Sequence, residues 1–144
     1  MIVAEVGLNH LGNIELLKKY IFKINKTTVD AISFQVLSKK FFYENNLKKY
    51  YIPREKIMKL IFKYSKKKVG LIVDEVSHDI IKFKKRINFF KITGNQAHEI
   101  KYLESIKKIS KMTYISNRNV NKKILSYLIK VSSKNKKINI IHTQ

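Results

Sequence analysis

The feature that most constrains this chain is a regular alternation of short apolar runs with longer stretches of helical apolar spacing. Residues 2–6, 31–36, 69–73, 89–92, 112–115 and 138–141 are short and rich in β-branched and aromatic side chains, so they read as strands. Between the first two, apolar residues at 14, 16, 17, 20, 21 and 24 repeat at the interval of one helical face. Asn13 stands where an N-cap is expected. A polar and aromatic connection follows the second strand and runs to Pro53, where a helix can begin. Ile57, Leu60, Ile61 and Tyr64 form that helix's apolar face, and Gly70 follows its basic end as a stop. Residues 80–87, 97–109 and 120–131 complete the helical set.

Strand and helix therefore alternate throughout, and the strand runs are apolar on both faces. That is what a parallel sheet covered by helices requires. Right-handed crossovers then leave a doubly wound sheet or a barrel. After the first strand, "GLNHLG" lacks the glycine spacing of a dinucleotide-binding turn. The expectation is an α/β fold of about six parallel strands, a (β/α) barrel rather than a doubly wound sheet, with residues 1–144 as one domain or part of one. In a barrel, functional side chains gather at the C-terminal ends of the strands.

Composition narrows the function classes. The net charge is +21, but 28 of the 31 basic residues are lysine and only Arg54, Arg86 and Arg118 are arginine. Lys, Ile and Asn, which are all abundant, share AT-rich codons, so codon drift alone accounts for the charge. Base-reading recognition favours the planar fork of arginine. Nucleic acid is therefore not the expected partner, although affinity for polyanions in general rises. No apolar run approaches the ~20 residues of a spanning helix, and none reads as a secretory leader, so no membrane partner is expected. Cysteine is absent, which removes disulfides and thiolate metal sites and suits a cytoplasmic location.

Polar residues collect at the strand ends. The first gives Glu5, Asn9 and His10; the second, Ser33 and Gln35; the third, Asp74 and Glu75; the fourth, Lys91 and Thr93; the fifth, Ser116 and Asn117; the sixth, His142, Thr143 and Gln144. In this order the motifs "IVAEVGLNHLGN", "VDAISFQ", "FFKITGN", "YISNRN" and "INIIHTQ" resemble the sialic acid synthase family. The first motif is the most specific, and the others add weight by their order.

The resemblance implies an enzyme that condenses phosphoenolpyruvate with an N-acylated amino sugar of the N-acetylmannosamine type. The product would be a nine-carbon sialic acid-like sugar. It implies that Glu5 holds sugar hydroxyls near the reacting aldehyde, since a carboxylate accepts two such bonds. Gln35 would also face the sugar. Lys91 would pair with the phosphate or carboxylate of phosphoenolpyruvate, and Ser116 would donate to the same phosphate. Asn9 and His10 would shape the mouth beside Glu5. A divalent metal, Mn or Mg, would polarise the aldehyde as a Lewis acid.

The chain also departs from the family pattern. Ser33 stands where the family has lysine, Gly94 where it has serine, and Gln96 where it has an acidic residue. The turn after the fifth strand is Ser116-Asn117-Arg118, and Arg118 is one place where the lost positive charge could return. The family's metal-binding histidines fall on a seventh and an eighth strand, so the metal ligands are expected to be missing, as is the family's C-terminal antifreeze-like domain. His142 matches the sixth-strand histidine, which is not a ligand. The resemblance therefore makes the expected fold a partial barrel lacking the last two βα units. Six strands cannot close a barrel of eight-stranded geometry, and free strand edges favour association. A complementing chain, a homo-oligomer and a shortened, non-catalytic barrel fragment that binds a sugar, a phosphate or a partner chain are the alternatives left open.

Overall fold

The computed structural model describes residues 1–141, so His142, Thr143 and Gln144 lie outside the described residues. Six strands form one parallel sheet: β1 (Val3–Val6), β2 (Ala31–Gln35), β3 (Lys68–Ile72), β4 (Phe89–Ile92), β5 (Met112–Ser116) and β6 (Ile138–Ile141). Their order in space is their order in sequence, with β1 and β6 at the two edges. A doubly wound sheet reverses direction at a switch point, whereas a barrel winds one way. The sheet is therefore an open arc of a barrel, as the alternation predicts.

Six helices connect the strands: α1 (Ile14–Asn25), α2 (Lys39–Glu44), α3 (Arg54–Tyr64), α4 (His78–Phe83), α5 (Ile100–Ile109) and α6 (Lys122–Lys134). Asn13 caps α1, its side-chain oxygen accepting from the amides of Glu15 at 2.9 Å and Leu16 at 3.0 Å. α1 then buries Leu17 and Ile21. Asn25, at its last turn, donates to the Tyr64 carbonyl at 2.8 Å and accepts from the Lys66 amide at 3.0 Å, which ties α1 to the end of α3. Asn121 caps α6 in the same manner, accepting from Ile124 at 3.0 Å.

Two sequence expectations change here. The connection after β2 contains its own helix, α2, capped by the Ser38 hydroxyl. Gly70 does not stop a helix, because it lies inside β3. A Cβ there would fall 2.1 Å from the Phe89 ring, so the residue is small to admit a neighbour's aromatic side chain.

Strand register assigns the two faces of the sheet. Glu5 pairs with Ser33, Ser33 with Gly70, Gly70 with Phe89, and Lys91 with Tyr114. Because side chains alternate along a strand, these residues share one face, the concave side of the arc. The other face carries Ile32, Phe34, Leu71, Phe90, Ile92 and Ile115, which are buried with helix residues Leu17, Ile21, Met58, Ile61, Leu103 and Leu128 in one apolar cluster. At about 25 cal/mol per Å² of apolar surface, this convex layer supplies most of the drive to fold. None of the helices among the described residues is long and apolar enough to cross a membrane.

Candidate functional site

The concave face narrows to an ion pair. Lys91 Nζ on β4 donates to Glu5 Oε2 on β1 at 2.6 Å. These strands are separated by β2 and β3, so the two long side chains reach toward each other across the arc, on the same face as Ser33 and Gly70. The Ser33 hydroxyl is buried and finds no hydrogen-bond partner among the described residues. Glu5 and Lys91 keep 39% and 29% of their side-chain surface in contact with solvent, so the pair is weakly held and open to exchange with a ligand.

Lys91 also separates two hollows. One, of about 290 Å³, runs down the concave face past Val3, Glu5, Ser33, Phe89 and Tyr114. The other, of about 530 Å³, lies at the tips of β4 and β5 beside Asn95, Ser116, Arg118 and Asn119. Glu5, Gln35, Lys91 and Ser116 thus stand on one face, at or near the carboxyl tips of their strands.

The turn after β1 brings Asn9 and Gln35 together. The Gly7 amide donates to Asn9 Oδ1 at 3.1 Å. A Cβ on Gly7 would lie 3.2 Å from that oxygen and 3.5 Å from Gln35 Nε2, so both amide side chains flank the glycine. His10 behaves differently from an exposed mouth residue, since it is only 2% exposed. Its Nδ1 accepts from the Gly12 amide at 3.1 Å, which places the ring proton on Nε2. That nitrogen is buried with no partner among the described residues. Burial pulls the imidazole pKa below its ordinary value, so the ring is neutral.

At the tip of β3 the charges are already satisfied. Arg54, the first residue of α3 and buried, pairs with Asp74 and with Glu75, the latter at 2.6 Å. Asp74 also accepts from the Ser38 amide at 2.9 Å and from its hydroxyl. The sequence placed both acids at the mouth, and the structure commits them to a clamp between β3, α2 and α3. Gln96 makes a second clamp. Its Oε1 accepts from the Thr93 amide at 3.1 Å, and its Nε2 donates to the Val73 carbonyl at 2.9 Å. Tyr102 donates to the same carbonyl, and burial raises its phenol pKa.

A divalent cation does not fit the donors present. No three His, Cys, Asp or Glu side chains stand close enough together to hold one among the described residues. Glu5, on the concave face, is tied to Lys91, and Asp74 and Glu75, just beyond the tip of β3, are tied to Arg54.

Sequence reasoning missed Arg54 and Ser38 because their partners lie 20 to 36 residues away. It also missed Asn95 and Asn119 as lining residues. The left-handed turn at Asn119 (φ 59°) is the local signal that the chain doubles back there.

No protein-family profile matches the chain, and no curated protein matches it. A solved structure does. N-acetylneuraminic acid (sialic acid) synthetase from Leptospira borgpetersenii serovar Hardjo-bovis, crystallised in complex with citrate, superposes with a TM-score of 0.82. The superposition covers 98% of this chain and 53% of that one at 21% sequence identity. The two share a fold over nearly all of this chain, and this chain spans about half the length of that synthetase. The family resemblance read from the motifs and the three-dimensional likeness lead to the same partial α/β barrel.

Proposed function

We propose that this chain forms the substrate-binding arc of a synthase of the sialic acid type. It would join phosphoenolpyruvate to an N-acylated amino sugar to give a nine-carbon sialic acid-like product, in cytoplasmic carbohydrate biosynthesis. The observation that carries the reading is Lys91, an exchangeable cation at the tip of β4 between two hollows, one of them lined also by Glu5.

In this reading Lys91 trades its bond to Glu5 for the anion of phosphoenolpyruvate, with Ser116 donating beside it. The freed Glu5 carboxylate accepts hydroxyls of the sugar, and Gln35 and Asn9 orient the same molecule from above Gly7. The enol carbon bonds to the aldehyde carbon, a water oxygen adds to the carbon bearing the phosphate ester, and inorganic phosphate leaves. The described residues offer no donor set for the divalent metal that the family resemblance implies, so their part is binding and orientation. The remaining groups lie outside the described residues, and the edges of β1 and β6, unpaired among those residues, are where strands carrying them would join.

Calorimetric titration with phosphoenolpyruvate, followed by a phosphate-release assay with N-acetylmannosamine and Mn²⁺, tests the proposal. Saturable binding and sugar-dependent phosphate release with a complementing chain present are expected. Failure to bind phosphoenolpyruvate overturns it. A second reading, a non-catalytic barrel fragment that binds its ligand without turnover, is favoured by Ser33, which stands where the family pattern has lysine. Binding without phosphate release in every combination would select it.

A further inference from the structure

The hollow at the tips of β4 and β5 is lined by two cations, Lys91 and Arg118, and by no carboxylate. Its other polar groups are neutral donors, among them Asn95, Ser116 and Asn119. Lys91 is neutralised by Glu5, whereas no acidic side chain pairs with Arg118 among the described residues. A concave wall carrying uncompensated positive charge concentrates anions.

The position of Arg118 is fixed by its backbone. Its amide donates to Ser116 Oγ at 3.2 Å. Its carbonyl sits where a side chain at position 94 would be: a Cβ on Gly94 would fall 1.8 Å from that oxygen, so only glycine permits the approach. The next carbonyl, of Asn119, meets His98 Nε2 at 3.0 Å. The turn after β5 is thus locked onto the turn after β4, and Arg118 is exposed, its side chain making no hydrogen bond or ion pair among the described residues.

We infer that Arg118 is a ligand-orienting residue, its guanidinium gripping a phosphate or carboxylate through two parallel N–H bonds while Lys91 supplies a second, point-like charge. The inference rests on the proposed function and deepens it, because it assigns recognition of the anionic substrate to a turn built around Gly94.

The test is calorimetric titration of the full chain with phosphoenolpyruvate and, separately, with inorganic phosphate. The variants are Arg118→Gln, Arg118→Lys and Lys85→Gln. Lys85 lies in the turn before β4, at the opposite end of the sheet, and its replacement removes the same charge. Arg118→Gln should weaken both ligands about tenfold or more, as expected for a lost charge-assisted bond pair. Arg118→Lys should recover part of the loss, and Lys85→Gln should bind like the parent chain. An unchanged melting temperature certifies the fold of each variant, since the Arg118 contacts are made by backbone. Parent-like binding by Arg118→Gln overturns the inference, as does an equal loss in Lys85→Gln. Arg118-dependent binding of phosphate with no binding of phosphoenolpyruvate upholds the inference and sinks the condensation reading. Binding of neither ligand by the parent chain overturns both.

Discussion

Two neighbouring sectors of the mouth use charge in opposite ways. At the tip of β3, Asp74 and Glu75 are met by the buried Arg54, and Asp74 is met again by Ser38. At the tips of β4 and β5, Lys91 has one partly exposed partner and Arg118 has no acidic partner among the described residues. Both sectors lie at strand ends of one parallel sheet, so topology alone does not separate structural from functional charge. Burial and multiplicity of partners do. A buried group held by several partners keeps the fold together, and an exposed group with one partly exposed partner, or no acidic partner among the described residues, is available to something else.

The comparison breaks first at Arg54. Arg54→Met leaves Asp74 with no cation and should destabilise the chain by about 3 kcal/mol, measured by urea unfolding. Ser38→Ala removes both the α2 cap and a donor to Asp74 and should cost about 1–2 kcal/mol by the same measurement. Lys91→Met should cost less than about 1 kcal/mol, because its ion pair is partly exposed, yet it should abolish phosphoenolpyruvate binding. A stability loss at Lys91 equal to that at Arg54 would erase the distinction between the sectors. The smallest effect belongs to His10. Its folded pKa lies below the ordinary imidazole value of 6.5, so the unfolded chain takes up the proton first as pH falls. Its contribution is therefore complete above about pH 6.5 and is lost as pH falls through the lowered folded value. His10→Asn should flatten the stability profile in that window, read as the difference between the two chains' unfolding midpoints.

Most of the fold was legible because burial on the convex face writes itself into periodicity. All six strands and helices α1, α3, α5 and α6 lie within a few residues of where apolar spacing puts them. The α2 helix escaped because Phe41, Phe42 and Tyr43 are consecutive and define no single face. Gly70 was misread because a strand glycine answering to an aromatic ring 19 positions away looks, locally, like a helix stop. The same limit governs the site. Glu5, Gln35, Lys91 and Ser116 were visible as polar tips of apolar runs, but the commitment of Asp74 and Glu75 to Arg54 depends on which turns fold over which. His10 reads as a mouth residue in sequence, and only the packing of the turn after β1 shows that it faces inward.

The bond between Glu5 and Lys91 joins residues 86 positions apart. In the folded sheet it spans β1 to β4, so its formation requires those four strands to be in register. A contact of this kind is expected to form after the transition state, so Lys91→Met should speed unfolding and leave the refolding rate unchanged, measured by stopped-flow kinetics. An anion that draws Lys91 away from Glu5 would act on the lifetime of the folded arc, not on the ease of reaching it.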